Sequence, residues 1–159
     1  MKTKFLLLGI ISIISVLCNN DPTSSPTVVN TEKWSLSVPS TSDSGSIEIM
    51  KHSDSSLTCA GNWYYEFYGY PVTCKIMSGS IIKDTSFLSL VCTGTAAYPP
   101  DSSGKVEASP FTLNISGKFK SGKASGDWQI SFSDTVWNEW APDPGKFTGK
   151  LQSGSGITD

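Results

Sequence analysis

Arginine is absent from this chain of 159 residues, and histidine occurs once, at His52. The guanidinium fork is the group that grips phosphate bidentately and reads guanine edges, so its absence removes the commonest tool of both tasks. With a formal net charge of −2 at pH 7, the sequence argues against nucleic-acid partners and phosphoryl chemistry. No Gly-rich phosphate loop or nucleophile elbow is present. Cys59, Cys74 and Cys92 stand fifteen and eighteen places apart with no Cys-x-x-Cys pair, and one histidine adds little, so neither metal nor cofactor is expected. No segment holds a sustained helical period, and no apolar run reaches the length of a membrane helix.

What is present begins with "MKTKFLLLGIISIISVLCNN". Lys2 and Lys4 precede an uncharged run from Phe5 to Leu17. A basic start and a short apolar run describe a secretory signal. The run ends at Cys18, and "NNDPTSSPTVVNTEK" after it reads as a polar tether. Apolar run, cysteine and polar tether together resemble a bacterial lipoprotein precursor over the first thirty-odd residues. That family favours Leu three places before the cysteine and Gly or Ala just before it; here those places hold Ser15 and Leu17. The resemblance implies acylation of Cys18, a membrane partner reached through the acyl anchor, and residence in the envelope, at the outer membrane or cell surface. A plain secreted protein, cut nearby, is the other reading. From Cys18 onward ten lysines face fourteen acids. That balance predicts no basic patch for lipid headgroups, and leaves membrane contact to the anchor.

The expected organisation is a signal over 1–17, a tether over 18–33, a β-domain over 34–152 and a flexible tail over 153–159. Alternation carries the β assignment: Trp34, Leu36 and Val38; Phe111, Leu113 and Ile115; Trp128, Ile130 and Phe132; Phe147, Gly149 and Leu151. Period two with one apolar face marks antiparallel strands covered on one side. Gly-, Ser- and Pro-rich turns separate them. Sequential hairpins predict an all-β fold, an antiparallel meander closing into a small up-and-down, lipocalin-like barrel, with a β-sandwich as the alternative.

An exported chain favours disulfides. A hairpin centred on Lys83 sets Cys74 opposite Cys92, which predicts that pair first and Cys59–Cys74 second; three buried thiols are the plain alternative. His52 lies beside Ser53 and Asp54, but a triad must converge in space, so it reads as a strand-end residue. Asp134, Glu139 and Asp143 read as turn caps in a solvated loop. No catalytic residue is assigned, and the chain is expected not to be an enzyme.

Six of the chain's seventeen aromatic residues crowd into "GNWYYEFYGYP", Gly61 to Pro71. As a strand, its odd positions, Trp63, Tyr65 and Phe67, make the better core face. Its even positions set Tyr64, Tyr68 and Tyr70 around Glu66, an amphipathic face suited either to the rim of the barrel or to recognition of a protein or carbohydrate partner. Trp137 and Trp140 are further binding candidates, or a lid on the core. The sequence thus predicts a non-catalytic, lipid-anchored binding domain. The alternatives are a carrier of a small apolar ligand, a hydrolase of envelope glycans, and a purely structural envelope component.

Overall fold

In the computed structural model the alternating segments form eight strands: β1 (Val28–Ser37), β2 (Ser44–His52), β3 (Leu57–Phe67), β4 (Tyr70–Asp84), β5 (Phe87–Ala97), β6 (Ala108–Lys120), β7 (Lys123–Phe132) and β8 (Gly145–Ser153), with a short helix, α1 (Thr135–Glu139), between the last two. The structure describes residues 25–98, 104–105 and 107–158. Cys18, the apolar segment and the first part of the expected tether lie outside the described residues. Each strand pairs antiparallel with the next, and β1 pairs with β8 to close the ring. The up-and-down barrel is therefore the fold, and the sandwich is set aside.

Up-and-down order gives the barrel two distinct ends. The N-terminal end carries the start of β1, the 53–56, 85–86 and 121–122 turns and the C-terminal tail. The far end carries the 68–69 turn, the long 98–107 connection and α1.

Inward side chains fill the ring. Trp63 on β3 and Trp128 on β7 come from strands on opposite sides of the eight-strand ring, yet their ring centroids are 4.9 Å apart. Trp34 meets Phe119 edge-on at 5.1 Å, and Phe119 meets Phe147 at 5.9 Å. Each buried aromatic contributes on the order of 2–3 kcal/mol by area alone, with a further increment for ring pairing. A barrel of this strand number has room for side chains or for one small ligand. Here the rings touch across the middle.

Three expectations are corrected. The strand begins at Val28, not Trp34, so the expected tether includes the first half of β1. The pattern hides this because the inward position two before Trp34 holds Glu32, a charged residue that is fully buried. The tail is not loose either: Ile157 and Thr158 are buried, and Glu32 takes the hydrogen bonds that hold them. Finally, the β4–β5 hairpin turns at Thr85 and Ser86, with Asp84 opposite Phe87, so Cys92 lies opposite Gly79 and Cys74 opposite Ala96. A bulge between Ile76 and Ser78 shifts the register along β4, which a symmetric hairpin count does not foresee. Cys74–Cys92 is thereby excluded as a directly opposed pair. All three described cysteines are free thiols, and the sulfur facing Cys92 is that of Cys59, 3.0 Å away.

Candidate functional site

At the far end Tyr64 and Glu66, even positions of the opening aromatic stretch, point outward from β3. Phe67 pairs with Tyr70 across a two-residue turn whose central residues, Tyr68 and Gly69, both have positive φ, at 50° and 81°. This left-handed pair fits the right-handed twist of the flanking strands. It is a strained setting for tyrosine, since a Cβ disfavours that region. The turn lifts Tyr68 clear of the sheet, 87% exposed, with its ring 4.5 Å from that of Phe67. Tyr64 is 44% exposed on the outer wall with Glu66, which lies opposite Pro71; Tyr70, 61% exposed, lies opposite Phe67 and so stands at the barrel mouth, on the row that continues inward to Val72. The odd positions do the opposite: Trp63 and Tyr65 are in the core. Behind the rim, burial raises the carboxyl pKa of Asp43, while the Thr41 hydroxyl and the Glu66 backbone amide work against that rise.

Next to the rim a lid of rings closes the far end. Asp134 caps α1, its carboxylate accepting from the amides of Val136 at 2.8 Å and Trp137 at 3.1 Å. That cap orients Trp137 into the barrel mouth, where it is buried against Phe132, Tyr98 and Trp140 at centroid distances of 5.4, 5.0 and 5.8 Å. Trp140 is half-buried and bridges to Phe67 at 5.8 Å. The lid and the rim therefore meet at Phe67. Of the candidates named from sequence, Tyr64 and Glu66 share the outer wall, Tyr68 and Tyr70 are exposed at the turn and mouth above it, Trp140 reaches them through Phe67, and Trp137 sits beneath as packing.

No family model, curated protein or solved structure matches this chain. The site is therefore read from its own chemistry.

His52 and Asp54 are locally satisfied. His52 Nε2 is 2.7 Å from the Thr58 hydroxyl and Nδ1 is 3.4 Å from the Pro26 carbonyl. Asp54 turns to Ser56, accepting from its amide and hydroxyl, and these bonds hold its carboxyl below the ordinary value. The adjacent Ser, His and Asp thus do not form a relay. Glu139 and Asp143 are exposed, and among the described residues no three His, Cys, Asp or Glu side chains converge as metal ligands would.

One expectation from net charge is overturned by the register. Lys120, Lys123 and Lys150 lie directly opposite one another on β6, β7 and β8, in a single row ending at Ser35 on β1. Lys118 stands in the adjacent row with Ser125, Thr148 and Ser37. All four lysines are exposed, and none joins an ion pair with a described residue. An acidic chain thus carries a local basic surface. The signal was present as "KFKSGK": Lys118 and Lys120 are two apart, hence on one face, and a two-residue turn returns Lys123 beside them.

Proposed function

We propose that the protein is an envelope- or surface-anchored lipoprotein whose filled β-barrel presents the tyrosine rim to a protein or glycan partner, without catalysis. The observation that carries this is the placement of Tyr64, Tyr68 and Tyr70. Three large, partly apolar side chains stand in solvent at the barrel end opposite the one where the chain enters, Tyr64 beside Glu66 on the outer wall and Tyr68 and Tyr70 at the turn and mouth. Tyrosine combines apolar area with a hydroxyl and few rotatable bonds, so it binds at low entropic cost. A chain tethered through Cys18 would hold this rim away from the membrane. The rings that touch across the lumen speak against the carrier alternative, which needs an open cavity.

Two measurements test the reading. Intact-mass analysis of membrane-fraction protein is expected to show a diacylglyceryl-sized increment on Cys18; an unmodified soluble chain overturns the anchor. For the rim, replacing Tyr64, Tyr68 and Tyr70 with serine is expected to weaken binding on a glycan array, or to an isolated protein partner, by tenfold or more. The melting temperature should fall by no more than about 3 °C, since exposed side chains contribute little to stability. Unchanged binding, or a large fall in melting temperature, removes the rim as a recognition surface.

A further inference from the structure

We propose that the N-terminal end of the barrel is a docking surface for an anionic lipid bilayer, an inference that takes its orientation from the anchored-lipoprotein reading. The lysine row is the first observation. Like charges directly opposite on neighbouring strands destabilise a sheet, yet Lys120 faces Lys123 and Lys123 faces Lys150 with no acid pairing any of them. With Lys118 this places four of the chain's twelve lysines on three adjacent strands of the eight. Folding gains nothing from such an arrangement. An anionic surface neutralises all four together.

The second observation is what surrounds them. Phe87 lies directly opposite Lys118 and is 45% exposed, and Ile82 on the neighbouring strand is 73% exposed. Val28 and Val29, where the chain enters the barrel, are 49% and 59% exposed. Exposed aliphatic and aromatic groups beside lysines make an interfacial surface, in which the apolar groups enter the acyl boundary while the ammonium groups meet headgroup phosphates. Among the described residues, the exposed acids at the turns of the same end, Asp54 and Asp84, take Ser56 and Thr85 as partners, and Glu32 there is buried under the tail. At the far end the balance reverses: Asp43, Glu66, Glu107, Asp134, Glu139 and Asp143 all lie there. The barrel is therefore electrically polar along its axis.

The third observation is reach. Nine residues separate Cys18 from Val28, a span of about 30 Å at full extension. A barrel held within that distance meets the bilayer with the end from which its tether leaves. That is the end bearing the lysines and the exposed apolar groups.

The test compares three forms of the full chain: unaltered, Lys120→Gln/Lys123→Gln/Lys150→Gln, and a control, Lys75→Gln/Lys105→Gln/Lys146→Gln, whose lysines lie toward the far end, with the same change in net charge. Each is partitioned onto phosphatidylcholine vesicles with and without about one-third phosphatidylglycerol. Each lysine near an anionic surface contributes roughly fivefold to partition. The unaltered chain and the control are expected to prefer the anionic vesicles by tenfold or more, and the first variant to lose that preference. High salt should abolish it by screening. Circular dichroism and the melting temperature establish that each variant is folded. Equal loss in the control, retention in the first variant, or binding to a soluble anionic polysaccharide without vesicle binding overturns the proposal. The mass of Cys18 is measured separately. Vesicle preference with an unmodified Cys18 ends the anchor reading and leaves the docking surface standing; acylation without vesicle preference does the reverse.

Discussion

Replacing Glu32 with alanine is expected to lower the stability of the barrel by about 3 kcal/mol, or about 10 °C in melting temperature for a domain of this size. The carboxylate is fully buried and accepts four hydrogen bonds. Oε1 takes the backbone amides of Ile157 at 2.8 Å and Thr158 at 3.3 Å, and Oε2 takes the Thr158 hydroxyl at 2.8 Å and the Trp34 indole at 3.2 Å. Removing the acceptor leaves those donors buried without a partner, and that loss exceeds the value of the bonds themselves. Glu32→Gln keeps the volume but turns one oxygen into a donor against other donors, so it should cost nearly as much. Thr158→Val removes only a hydroxyl and should cost about 1 kcal/mol. Hydrogen exchange localises the effect: the Ile157 and Thr158 amides are expected to lose protection in both Glu32 variants before the strands do. An unaltered melting temperature in Glu32→Ala would mean that the tail adds nothing to the barrel.

Oxidation of the purified protein by oxidised glutathione is expected to join Cys59 to Cys92 and to spare Cys74. These two come from β3 and β5, with β4 between them, and their sulfurs meet 3.0 Å apart over Gly79. A Cβ at Gly79 would stand 2.3 Å from one sulfur and 3.1 Å from the other, so only glycine allows the approach. The hydrogen bond from Cys92 holds the Cys59 thiol below its ordinary pKa, whereas the same bond and burial push Cys92 up. One thiol of the pair displaces one glutathione thiolate, the other then displaces the second, and two protein thiols with one glutathione disulfide become one protein disulfide and two glutathione thiols. Burial pushes Cys74 up to about 12, and it stays protonated. Closing a loop of 33 residues should stabilise the oxidised form by roughly 3–4 kcal/mol on chain entropy. Peptide mapping without reductant reads the pairing directly. Cys74→Ala should leave it intact and Cys59→Ala abolish it. Gly79→Ala should lower stability and slow the bridge. A recovered Cys74–Cys92 peptide would contradict the register seen here.

The strands were legible wherever one face is uniformly apolar. Trp34, Leu36 and Val38 mark β1, and Trp128, Ile130 and Phe132 mark β7, because period two has no other simple cause. Glu32 broke the rule in the same strand. Its burial depends on Trp34, Ile157 and Thr158, and the two tail residues lie some 125 positions away; no local pattern carries that. The cysteine pairing failed for a related reason. Register depends on where the hairpin turns: the turn falls at Thr85–Ser86 and not at Lys83, which alone sets Cys92 opposite Gly79, and the bulge at Ile76–Ser78 shifts Cys74 by only one place more. The tyrosine rim was half legible: alternation set Tyr64 and Glu66 apart from Trp63 and Tyr65, but it does not carry through the two-residue turn, which places Tyr70 opposite Phe67 at the barrel mouth. The basic surface was hidden by the arithmetic of net charge, which averages over positions that the fold separates.

Ring closure also has a consequence in time. β1 pairs with β8, so Trp34 must find Leu151, the longest loop to close in the domain and hence a slow, late step. A chain emerging N-terminus first, from a ribosome or through a translocon, exposes two unpaired strand edges until β8 arrives. The domain is thus committed to folding as a whole, after its last strand is delivered. Holdase chaperones that shield sheet edges before then should raise its yield more than any single stabilising substitution.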